Sequence, residues 1–531
     1  MVCPCESFLP VSLTRSRHKS GYQSIGDATA PSSLSFETDL PTVQFMAKDS
    51  GEFSEESERS TGKKILDLAV PALGALLIDP LLTLADTAFV GRFSETANEL
   101  AGMGSAAALL TFSFYIFNFL CTATTPIVAS KRSAGKEKEA LAIGGQALSL
   151  ALALGSTLSL VLIVFKQPLL DVMGTGVSGP EANGYAIDFL SVRALAAPAV
   201  FTISAATGIL RGYLDTKTPI FILFVANLVN FALDVVLITY FHMGPYGAAI
   251  ATTTAEWISA LLFLAVLAGK IPSADGQFAS RGIDENGKAI SVVPSLSIPP
   301  WEEMKPLIVA SSSVFLRSLV LQLSLSSAAA FAARGGETIP GGAASSIAAH
   351  QIAVQLWILC SFTADSLAAA SQGLVADSLG REDQDGVREV SKTVFLYSVV
   401  LGLILAGLLQ IGFSTHFLLD FFTSDQGTQA ALANILTLII VAQPLNSLVF
   451  AADGVLQGAS EFTYQAKSMV ISGATAAAVF VALQGSSSSD TLLHVWTALI
   501  SLQVMRGLTS AVKIVDNDGP IKLLGGSAEK G

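Results

Sequence analysis

Charge is what this chain has least of. Only 14% of its 531 residues are charged, 30 Lys and Arg against 42 Asp and Glu, where soluble domains carry about 25%. A deficit of that size argues against a soluble globular enzyme. Cysteine is scarce too, with 4 in the chain: Cys3 and Cys5 near the start, Cys121 and Cys360 inside apolar runs. That placement excludes a disulfide framework and a zinc spacing. The 5 histidines are scattered, and His350 beside Gln351 reads as a packed side chain rather than a metal ligand. No Walker-type glycine loop, zincin motif or nucleophile elbow is present. Transport powered by ATP hydrolysis in this chain is therefore not expected, nor are enzymatic activity, a bound metal or an organic cofactor.

What the chain has in plenty is apolar sequence, 51% by residue. It falls into about twelve runs of membrane-spanning length, six in each half. The halves are copies. AAPAVFTISAATGILRG at 196–212 returns as AQPLNSLVFAADGVLQG at 442–458, and VASKRSAGKE at 128–137 returns, two residues shorter, as VADSLGRE at 375–382. Two long apolar copies point to a membrane carrier with its site between similar bundles. The expected fold is an all-α integral membrane protein with about twelve transmembrane helices in two pseudo-symmetric six-helix bundles. The first lobe is expected over 63–269, a cytosolic connection over 270–300, the second lobe over 301–514 and a tail over 515–531.

Basic residues set the orientation. Lys131, Arg132, Lys136 and Lys138 follow the second run, Arg211 and Lys217 the fourth, Lys270, Arg281 and Lys288 the sixth, and Arg381, Arg388 and Lys392 the eighth. These loops share one side, which is expected to face the cytosol or its equivalent in an organelle. Residues 1–62, rich in Ser, Thr, Pro and charge, read as a disordered cytosolic tail or as an organelle presequence carrying Arg15, Arg17, His18 and Lys19. The plasma membrane, a vacuole and a plastid envelope all remain open as locations.

The spans also carry carboxylates. Each costs about 2.5 to 3.5 kcal/mol at mid-bilayer, so an interior or wet setting is expected. Asp79 and Asp86 lie in GALLIDPLLTLADTAFVGR, two helical turns apart on one face with Thr83 between them. Asn227, Asn230 and Asp234 form a polar stripe at spacings of three and four in VANLVNFALDVVLITY. A lone Asn or Thr in a span ordinarily hydrogen-bonds a neighbouring helix. For Asp86 and Asp234, burial of an ionisable group instead favours proton or cation exchange. Glu256 joins the first half, while Asp365 and Asp453 in the second half have no matching acid at the repeat offset. The ion site is thus expected once, in the first bundle. Glu256, Asp365 and Thr83 are candidates for the substrate cavity; Asp365 either attracts cations or marks a helix end. Arg193 either pairs with an acid or reaches toward the non-cytosolic surface.

IDPLLTLADTAFVGR, ILRGYLDTKTP, NFALDVVLI, GAAIATT and AAHQIAVQLW, in this order over about residues 62–514, resemble the multidrug and toxic compound extrusion (MATE) family. The match is to its DinF-type branch, which includes plant DETOXIFICATION-like members. The resemblance implies a proton- or sodium-driven antiporter for organic, often cationic, compounds. It also implies that Asp86 is the first-helix aspartate, that Asn230 and Asp234 are the fifth-helix pair of the cation site, and that Pro71 is a point of helix bending. Asp79 and Glu256 are additional acids here and leave the ion open. The expected partners are a small organic substrate and the lipid bilayer, with no nucleic acid, and the chain is expected to work as a monomer. The rival readings are a flippase for lipid-linked precursors, which needs a basic central cavity, and a membrane protein that transports nothing.

Overall fold

The computed structural model describes residues 60–78, 97–117, 119–172, 180–274, 291–294, 301–334, 342–423, 425–485, 491–517 and 519–524. These are nearly all helical, and no strand occurs among them. The helices in order are α1 (60–78), α2 (Ala97–Ile116), α3 (Phe119–Ser133), α4 (Glu137–Val164), α5 (Lys166–Val172), α6 (Pro180–Ala194), α7 (Ala197–Gly212), α8 (Lys217–Asp234), α9 (Gly244–Leu267), α10 (Trp301–Arg334), α11 (Gly342–Gly380), α12 (Gln384–Ser414), α13 (Phe417–Phe422), α14 (Gln426–Gly458), α15 (Phe462–Gly485) and α16 (Thr491–Val515). Among the described residues ten helices are long and apolar enough to cross a membrane, and α6 with α7, bent by 46°, makes an eleventh. α1 is a further helix ahead of these, and the described helices fall into two bundles.

Local sequence explains the joints. Pro198 opens α7 just after the break at Leu195 and Ala196, where a missing N–H costs nothing. Gly244, at φ 51°, turns the chain into α9 with Pro245 behind it. Asp383 caps α12 by accepting from Gly386 N, and Asp425 caps α14 by accepting from Thr428 N.

Small residues let the helices approach, as is usual between membrane spans, and they do so twice over. A Cβ on Gly155 would stand 2.5 Å from Pro198 Cα, and one on Gly402 2.5 Å from Pro444 Cα. Gly212 faces Val128 as Gly458 faces Val375, each at 2.8 Å from the neighbouring Cβ. The sequence repeat is therefore also a repeat of packing. It breaks in one respect: α14 runs unbroken through Pro444, whereas its counterpart is split into α6 and α7.

The bundles are not closed off from each other. Leu307, Ala310 and Val314, early in α10, join the apolar core of the first bundle with Phe201, Leu210 and Phe263. Reciprocally, Ile65 and Ala69 of α1 join Val387, Val390 and Val394 of α12 in a core of the second. Each bundle's first span thus begins against the other bundle. Parts of the connection between bundles are docked as well. Val292 is buried and donates its N–H to Leu267 O at 2.8 Å, and Ala274 N donates to Thr218 Oγ1 at 2.9 Å. The tail at 1–59 lies outside the described residues.

Candidate functional site

In the first bundle the polar stripe of α8 resolves into two kinds of residue. Asn230 and Asp234 are buried, and Asn230 Nδ2 donates to Asp234 Oδ2 at 2.8 Å. Asn227 is half-buried and donates instead to its own helix, to Leu223 O at 2.7 Å. At Asp234 the regular helix ends, and Val235–Tyr240 continue as a π-helix, a wider turn that recurs at functional sites. Widening the helix directly behind a buried carboxylate loosens the backbone where charge has to be accommodated. α1 lies alongside: a Cβ on Gly74 would meet Ile220 Cδ1 of α8 at 2.2 Å. Pro71, one turn earlier, is half-buried within α1. Asp79, Thr83 and Asp86 lie outside the described residues.

Glu256 has a partner that sequence left open. Arg193 of α6 grips it in bidentate fashion, with Nη2 donating to Oε1 at 2.8 Å and Nη1 to Oε2. Beside this pair, Trp257 Nε1 donates to Leu195 O at 3.1 Å and Thr253 Oγ1 to Val192 O at 3.4 Å. Three side chains of α9 therefore face the α6–α7 break. Trp257 takes up the Leu195 carbonyl at the bend, where a backbone group in a membrane needs a partner, and Thr253 adds to Val192 O, which also accepts from Leu195 N.

The second bundle holds a centre of a different kind. Asp453 of α14 accepts from Arg317 of α10 and Arg506 of α16, and Gln465 Nε2 of α15 donates to its Oδ1 at 3.2 Å. From Arg506 the chain of bonds continues to Gln503 Oε1 at 3.1 Å, from Gln503 to Asn446 Oδ1 at 3.0 Å, and from Asn446 to Ser361 Oγ at 3.2 Å. Asp365 of α11 lies within the fields of Arg211, Arg317 and Arg506. Arg317 and Arg506 were legible as charges inside apolar runs. Their shared partner, remote in sequence, was not.

The hydrogen bonds that tie one bundle to the other sit in the half that bears the basic loops. Arg132 and Ser133 of α3 donate to Asp377 of α11, Gln372 Nε2 donates to Thr122 O at 2.7 Å, and Thr61 Oγ1 donates to Glu389 Oε1 at 2.6 Å.

Comparison with known proteins agrees with this architecture. The MatE family model matches residues 71–236 and 341–482. Protein DETOXIFICATION 43 of Arabidopsis thaliana is 30% identical over 530 residues, covering 88% of this chain and 93% of that protein. DNA damage-inducible protein F of Escherichia coli (strain K12) is 27% identical over 455 residues, covering 85% of this chain and 92% of its own. Among solved structures, a crystal structure of MATE in the bent conformation superposes with a TM-score of 0.71 at 19% identity, covering 85% of this chain and 93% of that one. An outward-facing MATE transporter of the MOP superfamily gives 0.69 at 18% identity, with 85% and 94% covered.

Proposed function

Because the chain belongs to the MatE family of multi-pass membrane transporters, we propose that it is a secondary antiporter. It exports organic compounds, cationic or amphipathic, in exchange for protons or sodium by alternating access, and catalyses no covalent chemistry. The observation that carries the coupling role is the buried Asn230–Asp234 pair at the start of the π-helix. A desolvated carboxyl takes up a proton or a cation readily, and its occupancy alters how α8 packs against its neighbours. Asp86 and Asp79, from the same bundle, complete the ion site in this reading, with Thr83 and Asn227 as further oxygens. Pro71 gives α1 the freedom to bend in response. An ion can drive the cycle only by binding one conformation better than the other, so Asp234 must change its surroundings between the two.

Proton is the favoured ion, since it needs only a carboxyl, whereas sodium needs several placed oxygens. Substrate cations are drawn by the first bundle's acids. Asp365, in the fields of three arginines, takes part in selecting among cations from the second bundle. Glu256, engaged by Arg193, acts on the cavity through the position of the α6–α7 bend. The lipid-precursor reading is disfavoured, because Arg317 and Arg506 are both engaged by Asp453.

The test is counterflow in proteoliposomes with an imposed pH or sodium gradient, using cationic, neutral and anionic organic probes. Gradient-driven accumulation of a cationic or amphipathic probe supports the proposal. Transport indifferent to both gradients would overturn it. A fluorescent fusion of the full chain identifies the membrane.

A further inference from the structure

Asp377 lies at the basic-loop end of α11, only 2% exposed, in a region where the two bundles meet backbone to backbone. A Cβ on Gly380, one turn on, would stand 2.4 Å from Ser130 O of α3. Its carboxylate receives groups from both sides. Arg132 and Ser133 reach its Oδ1 from α3 of the first bundle, and Arg381 reaches its Oδ2 from just past α11. The two arginines differ in setting. Arg132 has a side-chain exposure of 17% and lies over the Tyr213 ring, 5.9 Å from the centroid, while Tyr213 Oη donates to Glu137 Oε1 at 2.8 Å. Arg132 is therefore braced on the first bundle. Arg381, at 58%, stands in solvent and travels with Asp377. In the repeat, the first-bundle counterpart of Asp377 is Ser130, so the arrangement exists once.

Two cations around one carboxylate repel each other while both attract it. Removing the braced one costs the closed arrangement a partly buried pair. Removing the travelling one leaves the whole carboxylate charge to the braced one. We propose that Asp377 is a two-cation latch on the basic-loop side: Arg132 holds the bundles together there through one oxygen, and Arg381 shares the carboxylate charge through the other and keeps it paired when they part. This rests on the alternating-access reading, since only a carrier that opens on this side needs such a handover. Arg132 and Arg381, alike in sequence, then act in opposite directions on one equilibrium.

The experiment is pulsed dipolar spectroscopy on the full chain in proteoliposomes. Spin labels go on Lys136→Cys and Gln384→Cys, exposed positions on opposite bundles, with Cys3 and Cys5 replaced by Ser. Arg132→Gln is expected to raise the long-distance population on the order of tenfold relative to the short. Arg381→Gln is expected to lower it several-fold, and Arg132→Lys to stay between Arg132→Gln and wild type. If Arg132→Gln does not accumulate, Ser133→Ala carries the same arm, raising the long-distance population by less. A shift in the same direction for Arg132→Gln and Arg381→Gln, or no shift in either, overturns the latch while a two-distance wild type leaves the carrier reading standing. A wild type fixed at one distance under every gradient overturns both.

Discussion

Asp234 is held by a neighbour that could equally hold its amide. Asn230 Nδ2 donates to Oδ2, and an asparagine at 234 keeps that acceptor and its volume while losing the ability to bind and release a proton. Asp234→Asn is therefore expected to fold and insert normally, yet to lose accumulation against a gradient down to the background of empty vesicles. Uptake assays that find wild-type accumulation would leave Asp234 a packing residue. Pairing it with Asp86→Asn should add little further loss, because residues acting as one unit are not additive. The stripe of Asn227, Asn230 and Asp234 was readable from spacing alone. The separate fate of Asn227 was not, because it depends on a rotamer that returns the amide to Leu223 O in its own helix. The arginine pair on Asp453 escaped for a related reason. Spacing reveals which charges lie in a span, but only tertiary packing brings Arg317 and Arg506 to one carboxylate.

Where helices touch, the two copies make matched demands. Gly155→Ala and Gly402→Ala each push a methyl into a proline backbone that cannot rotate away, and each is expected to cost about 1–3 kcal/mol. Gly407→Ala, with nothing within 4 Å, should be neutral. Thermal unfolding in detergent reads all three, and equal losses at 155 and 402 are the signature of repeated packing. The α6–α7 break behaves differently. Glu256→Gln takes the negative charge out of the bidentate pair with Arg193 at the bend and is expected to cost about 3 kcal/mol, whereas Arg193→Met with Glu256→Met should recover much of that. The sequence offered Pro198 as a mark near the break but gave Pro444 the same mark in a helix that runs unbroken. What differs is the set of α9 side chains that meet the bend.

At the start of α14, bonds from the Thr428 hydroxyl and N–H, and then from the Ser345 hydroxyl, hold the Asp425 carboxyl below its ordinary value. Its stabilising share is thus complete above the ordinary carboxylate range and fades as pH falls from there through the lowered value. The melting difference between wild type and Asp425→Ala should accordingly hold steady through neutral pH and shrink only in acid.

Taken whole, the molecule is two bundles whose first spans each begin against the other, with Ile65 and Ala69 in the second core and Leu307, Ala310 and Val314 in the first. The lobe boundaries drawn from apolar runs follow the order of the chain, and this exchange cannot be seen in it, because an apolar run shows that a helix face is buried and not which bundle buries it. Asp365→Asn tests how charge is divided between them. With three arginines nearby, it should change the relative uptake of cations of different size while ion dependence persists. Loss of ion dependence in that variant would place coupling in both bundles. The packing also has a redundancy. Contacts such as Gly155 on Pro198 and Gly402 on Pro444 are held in duplicate, one in each half. Asp377, facing Arg132 where its twin position is Ser130, is held once. A change in the helical frame thus leaves an intact copy in the other half, whereas a change at this fastening has no second copy behind it.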